Sequence, residues 1–280
     1  MMTGAVSSDP IPSGVSLARR LERAEGVAGA QFVETRARVS PESGACWTEI
    51  AGTYAMFDGP ASPVTQTFGL GLFQMPSAAE MDAIERFFFE RGAPANHEVS
   101  PLADRALLTL LNERGYRPIE LSDVMFLPLA DRPSAGTTPA EGVEVRLARE
   151  PDLDAWADTA ARGWADVSEF SGAVRDLMRV SASRGTFSPF LALMDGRPIA
   201  TGGLVIHEGV ALMAGASTVP EFRHHGAQRS LYEERLQHAV RTGCDLAMVC
   251  TEPGSASQRN AVRNGFRVAY TRIKWSRGMR

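Results

Sequence analysis

The sequence predicts an α/β (α+β) fold, a mixed and mostly antiparallel sheet flanked by helices, arranged as two tandem related domains. Three observations predict it. From residue 143 onward, short apolar or alternating runs interleave with helical runs. The stretch ADRPSAGTTPAEG at 130–142 has almost no apolar side chains and reads as a linker. Finally, the chain before that linker repeats the punctuation of the chain after it. Strand, Pro76, helix, Gly92, strand, Pro101, helix and Gly115-Tyr116-Arg117 mirror strand, Pro220, helix, Gly243, strand, Pro253, helix and Gly265-Phe266-Arg267. Gly92 to Gly115 spans 23 residues and Gly243 to Gly265 spans 22. The expected units are 1–129 and 143–280, joined by 130–142.

In the first unit, residues 1–16 have no basic patch followed by an apolar core and read as a disordered leader. Residues 67–75 are strand-like. Ser77 and Glu80 form a capping box that opens a helix to Arg91. A strand at 96–100, a helix at 103–114 and a strand at 116–129 follow. In the second unit, strands are expected at 143–147, 187–194, 198–207, 210–219, 245–251 and 266–275. Helices are expected at 151–162, 172–183, 226–241 and 255–264, and Gly243 and Gly265 stop the last two. Asp195-Gly196 and Glu208-Gly209 are hairpin turns.

At 280 residues, about two domains are expected, and 44% hydrophobic content is enough to bury real cores. No apolar run approaches the roughly 20 residues of a membrane helix. Cys46, Cys244 and Cys250 include no CxxC pair, which argues against a disulfide framework or zinc site and for a reducing cytoplasm. Lys274 is the single lysine among 29 basic residues, a bias that suits a GC-rich bacterial genome. Residues 1–141 carry 11 basic and 18 acidic side chains, whereas 142–280 carry 18 and 15. The basic second unit suits a polyanionic small ligand; no basic aromatic patch points to nucleic acid.

The repeats differ in one place. Pro76 to Gly92 is 16 residues, but Pro220 to Gly243 is 23. The extra residues are expected at the strand-to-helix loop, at Phe222-Arg223-His224-His225-Gly226-Ala227-Gln228. The first amides of a helix lack intrahelical partners, and the helix dipole favours anions there. A glycine turn lets such amides converge on a phosphate. The segment Arg223 to Arg229 therefore reads as an anion cradle that the first unit lacks.

Here residues 143–275 resemble the GNAT superfamily of acyl-CoA N-acyltransferases, in element order and in the family's Q/R-x-x-G-x-G/A loop, seen as Arg223-His224-His225-Gly226-Ala227-Gln228. Gln228 departs from the usual Gly or Ala, and could narrow the approach of a pyrophosphate. The resemblance implies a catalytic unit at 143–280 and a degenerate GNAT-like unit, without the CoA loop, at 1–129. It implies acetyl-CoA as cosubstrate, no metal, and an amine acceptor. Ser217, Thr218 and Val219 would bind the pantetheine arm, with the Val219 amide a candidate to polarise the thioester. The amides of His224, His225, Gly226, Ala227, Gln228 and Arg229 would hold the pyrophosphate, and Ser257 and Asn260 would stand near pantetheine.

The family's usual proton-donating Tyr falls on Ala261, leaving Tyr270, Tyr232 or water to protonate the thiolate. A lysine-like amine is neutral only about once in a thousand at pH 7, so a base is needed. Asp166 and Glu169 are the expected candidates; His207 and Glu208 sit at a hairpin tip, too distant. Neither Cys244 nor Cys250 has a His spaced to activate it, so direct transfer is expected. The acceptor could be a small molecule or a peptide amine. The alternative is a non-catalytic acyl-CoA-binding regulator.

Overall fold

The computed structural model describes residues 14–130, 140–164 and 171–278. Helix α1 (Val15–Val39) comes first, then β1 (Cys46–Ile50), β2 (Thr53–Phe57) and β3 (Gln66–Phe68). The rest of the first repeat is α2 (Ala78–Phe89), β4 (Ala95–Val99), α3 (Ala106–Glu113) and β5 (Arg117–Pro128). The second repeat holds β6 (Glu144–Leu147), α4 (Leu153–Gly163), α5 (Ser171–Ala182), β7 (Phe187–Met194), β8 (Arg197–His207) and β9 (Val210–Thr218). It ends with α6 (Ala227–Arg241), β10 (Leu246–Thr251), α7 (Ala256–Arg263) and β11 (Arg267–Arg277).

Three expectations change. Helix α1 claims Val15 and Ser16 from the expected leader. The strand expected at 67–75 stops at Phe68, because Gly69 and Gly71 take φ of 82° and 70° and turn the chain. No element was read between the leader and residue 67, yet α1, β1 and β2 lie there. Between Leu21 and Phe32 the buried face of α1 holds only Glu22, alanines and Gly26, and it ends on Thr35 and Arg36, so no continuous stripe of large apolar residues announces it.

All strands join one 11-stranded sheet in the order β1-β2-β3-β4-β11-β5-β10-β9-β8-β7-β6. Only β3–β4 and β9–β10 are parallel. The repeats match across this sheet. Gly92 and Gly243 take φ of 70° and 82° after equivalent helices, and Gly115 and Gly265 take 80° and 91°. Each glycine closes the same pair of bonds, for example Tyr116 N to Leu111 O and Phe266 N to Ala261 O.

The last strands have changed places. Strand β5 pairs with β10 of the second repeat, and β11 pairs with β4 of the first. β5 and β11 then pair with each other, with Ser122 opposite Arg272. The register is two-fold: Arg267 faces Phe126, and Arg117 faces Ser276. The boundaries 1–129 and 143–280 describe the chain, while the sheet crosses them.

Helices α1 and α4 cover one face, where Leu21, Trp156, Ala160, Leu212 and Met248 form a core. Helix α6 covers the other face of the second repeat over Ala211, Met213, Ala247 and Val249. α1 also reaches the first repeat through Phe32 and Val33.

Candidate active site

The site begins where two strands part. Strands β9 and β10 pair only from Leu246–Val210 to Met248–Leu212. Beyond that, β9 runs on to Thr218 and β10 to Thr251 without pairing, so their backbones open into a V. On its other side, β9 stays against β8: Thr201 faces Ser217 and Ala200 faces Thr218. The next amide, of Val219, donates to the Ile199 carbonyl at 2.9 Å. This corrects the role expected for Val219, whose N–H is spent inside the sheet and whose side chain is buried. Alternate residues of a strand direct their amides to opposite sides. The Thr218 amide therefore points away from β8, into the opening. Gly163, at the end of α4, leaves it uncovered: a side chain there would lie 2.9 Å from the Thr218 nitrogen.

From Val219 a short turn leads to Arg223. His224 at φ 69° and Gly226 at φ 78° then bend the chain into α6. Gly226 is the N-cap. No side chain caps the helix and no acidic residue stands in its first turn. Ser230 makes the first bond back to the Gly226 carbonyl, so the amides of Ala227, Gln228 and Arg229 have no intrahelical partner. Pro220 to Ala227 takes seven steps against two from Pro76 to Ala78. Five of the seven extra residues thus lie in this loop, and the other two lengthen the helix.

A cavity of about 900 Å³ opens in front of this junction. Its walls are Ala216, Ser217 and Thr218 from β9, Phe222 to His224 and Gly226 from the loop, and Ala227, Gln228, Arg229 and Tyr232 from α6. Ala256, Ser257, Arg259, Asn260, Arg263 and Asn264 complete it from α7. Of the twelve residues expected to hold the cosubstrate, ten line this cavity. The exceptions are Val219 and His225, whose ring folds back onto the Arg223 carbonyl at 2.9 Å. Among the described residues, four arginines and no carboxylate stand in the wall, so their field favours a polyanion. Arg259 and Arg263, one helical turn apart, escaped the sequence reading; that i, i+4 spacing was the available signal.

Gln228 does not narrow the cradle in the manner expected. Its Nε2 turns to β9 and donates to the Ser217 carbonyl at 2.8 Å and to Thr218 Oγ1 at 3.0 Å. The side chain thereby ties the helix start to the splayed strand. Burial raises the pKa of the Tyr232 phenol, opposed by the Arg235 guanidinium, whose carbon lies 4.9 Å from the ring centre.

Two expected groups are elsewhere. Tyr270 is off the cavity, buried under α1 with its hydroxyl 2.9 Å from Glu22 Oε1. This corrects its placement as proton donor, because β11 was carried away by the strand exchange. Asp166 and Glu169 lie outside the described residues. Burial raises the pKa of both Cys244 and Cys250, the latter well above the usual thiol, so neither is a ready thiolate.

Residues 135–251 match the family model of the acetyltransferase (GNAT) domain. That stretch is 117 of the 280 residues. A GCN5-related N-acetyltransferase from Kribbella flavida shares the fold with a TM-score of 0.63 and 18% identity, over 89% of this chain and 95% of that one. A second, from Sphaerobacter thermophilus, gives 0.56 and 18%, over 81% and 78%. A tandem GNAT protein from the clavulanic acid biosynthesis pathway gives 0.55 and 12%, over 79% and 73%. At such identities the likeness is one of fold. No curated protein matches this chain. The matched stretch includes β9 and the start of α6, two of the cavity's walls.

Proposed function

We propose that this chain is an acetyl-CoA-dependent N-acetyltransferase with one active site, in the GNAT unit at 143–280, and that the unit at 1–129 binds no acyl-CoA. The observation that carries this reading is the α6 junction, an uncapped helix start behind a left-handed glycine, walled by four arginines and no carboxylate. The pyrophosphate lies on the amides of Ala227, Gln228 and Arg229. The pantetheine arm follows Ser217 and Thr218, with Ser257 and Asn260 beside it, and enters the V between β9 and β10. The Thr218 amide polarises the thioester carbonyl as an oxyanion donor. A primary amine attacks that carbon directly, and the thiolate leaves. Tyr232, kept protonated by burial, is the phenol that lines the cavity and is assigned to return a proton.

The test is thiol release from acetyl-CoA over a panel of primary amines, after calorimetry of acetyl-CoA binding. Transfer to an amine is expected. Ala261 favours a second reading, a non-catalytic acyl-CoA-binding protein, because it removes a phenol from α7; one-to-one binding without thiol release would select that reading. Gly163→Ala sets a Cβ against Ser217 Oγ and 2.9 Å from the Thr218 nitrogen. It is expected to lower kcat by roughly 10²-fold, the cost typical of losing one oxyanion donor, and to weaken acetyl-CoA as well, because Ser217 flanks the pantetheine arm. An unchanged kcat removes Thr218 from this role.

A further inference from the structure

Behind the V, on the face away from α6, α1 lays two carboxylates on β10 and β11. Cys250 marks the place. Along β10, Ala247 and Val249 pack under α6, while Met248 and Cys250 face α1 and α4. Cys250 stands two residues beyond Met248, the last residue of β10 paired with β9. Its Sγ lies 3.3 Å from Glu25 Oε2. Glu25 accepts two bonds from Arg272, at 2.6 and 3.2 Å. The same guanidinium reaches Glu22 Oε1 at 3.4 Å and Glu98 of β4 at 3.4 Å. Tyr270 also donates to Glu22 Oε1. Lys274 lies 3.3 Å from Glu98.

With all three carboxylates ionised, this cluster would hold more negative charge than it balances. Three buried or nearly buried carboxylates, Glu22, Glu25 and Glu98, face two cations, Arg272 and Lys274, and Lys274 is shared with the exposed Glu120. Glu22 is 1% exposed, and its Oε2 has no partner among the described residues. A buried carboxyl oxygen left unbonded is costly, and the nearby structure offers it nothing to accept from. Glu25, with 16% of its side chain exposed, is the member that meets solvent.

We infer that this cluster is the acceptor side of the active site, and that the Glu22–Glu25 pair receives the ammonium of a primary amine and takes its proton. The inference rests on the acetyltransferase reading above. An acyl arm that enters the V from the cavity presents its thioester toward this face. Beside an ionised Glu22, the added cation supplies the balancing charge. Loss of one proton to the pair leaves a neutral amine, whose lone pair forms the C–N bond while the carbonyl electrons move to oxygen beside Thr218. Collapse of that intermediate breaks the C–S bond, and the nitrogen's second proton offsets the one taken up by the thiolate. The net products are the amide, the CoA thiol and one proton, which leaves through Glu25. Burial, more than any neighbour, raises the Glu22 carboxyl to about 7, so this group can exchange a proton near neutral pH. Because α1 precedes both repeats and β11 lies beside β4, the acceptor site is composed by the whole chain.

The full chain tests this. Acetyl-CoA affinity is measured first by calorimetry. Steady-state transfer then follows to propylamine, an amino sugar and a lysine-ended peptide between pH 6 and 9. Glu25→Gln is expected to raise the amine KM at least tenfold and lower kcat, with the acetyl-CoA Kd within about twofold of wild type. Glu25→Asp should recover part of the loss. Glu22→Gln should remove the inflection near pH 7 from kcat. If Glu22→Gln does not fold, the Glu25 pair of variants still decides. An unchanged amine KM and pH profile in Glu25→Gln overturns the inference. So does a wild type that binds acetyl-CoA but neither binds nor acetylates any of the three amines. A wild type that binds no acetyl-CoA instead overturns the reading beneath it, and the inference with it.

Discussion

Helices α2 and α6 open equivalent junctions of the two repeats, yet their first turns do opposite things. At α2, Ser77 Oγ accepts from the Glu80 amide at 3.3 Å, and Glu80 Oε2 accepts from the Ser77 amide at 2.7 Å. That reciprocal cap satisfies the Ser77 and Glu80 amides and leaves a carboxylate where an anion would otherwise sit. The backbone bond from Ser77 lowers the pKa of Glu80, so the charge is permanent near neutral pH. At α6, glycine replaces the capping side chain, the first turn holds no acid, and arginines stand around it. One helix start is finished as structure; the other is left open for a ligand. A capping box is thus a chemical seal on an anion site, and its absence at α6 is informative.

The strongest way to break the comparison is to seal α6. Gly226→Glu puts a carboxylate and a strained φ of 78° at the cradle, with Ala140 only 2.6 Å from the new Cβ. Acetyl-CoA affinity is expected to fall at least 100-fold, which is roughly 2.7 kcal/mol. Calorimetry on protein whose circular dichroism matches wild type checks it; undiminished binding would move the cradle. The same titration should give one acetyl-CoA per chain. Two equivalent sites would end the distinction between α2 and α6.

Acid sharpens the contrast through the first repeat's core. His97 is fully buried between Thr67 Oγ1 at 2.8 Å and Tyr116 Oη at 2.9 Å, and burial drops its pKa to about 3. Its folded value lies below its unfolded value of 6.5. The unfolded chain therefore binds the extra proton first, and stability is complete above pH 6.5 and lost as pH falls toward 3. By pH 5 the loss from this group is about 2 kcal/mol, at 1.36 kcal/mol per unit. Urea midpoints of wild type and His97→Gln between pH 7 and 5 measure it. Parallel slopes would show that His97 does not titrate on unfolding.

Smaller effects belong to the tethers. Gln228→Ala frees α6 from Ser217 and Thr218, and should weaken acetyl-CoA by about fivefold, near the net value of one hydrogen bond. Tighter binding would instead mean that the side chain obstructs the phosphates. Ser77→Ala should cost about 1 kcal/mol of stability in a denaturant titration and leave acetyl-CoA binding untouched.

Much of the second repeat was legible in its residues. Phe187–Met194 ends where the turn chemistry of Asp195-Gly196 demands, and Gly243 and Gly265 stop their helices. The open start of α6 was legible too, because Gly226 and the length difference between repeats are sequence facts. Helix α1 was not, since its buried side is small and partly charged. Neither was the fate of Tyr270. Local pattern gives β11 as a strand, but the choice of β4 and β5 as its neighbours depends on partners some 150 residues away. Val219 shows the same limit on a finer scale: only the register with β8 reveals that its amide is already used.

The exchange of β5 and β11 makes the two repeats interlocked rather than merely linked. Each half lends its closing strand to the other, the arrangement of a domain-swapped dimer written into a single polypeptide. Cleaving the backbone between Leu129 and Ala140 would yield two fragments that stay wound together. Residues 143–280 expressed alone would have a gap between β10 and β11 where β5 belongs. The catalytic half is therefore no portable module. The first repeat, capped at α2, remains in the chain as an inseparable part of the other half's sheet.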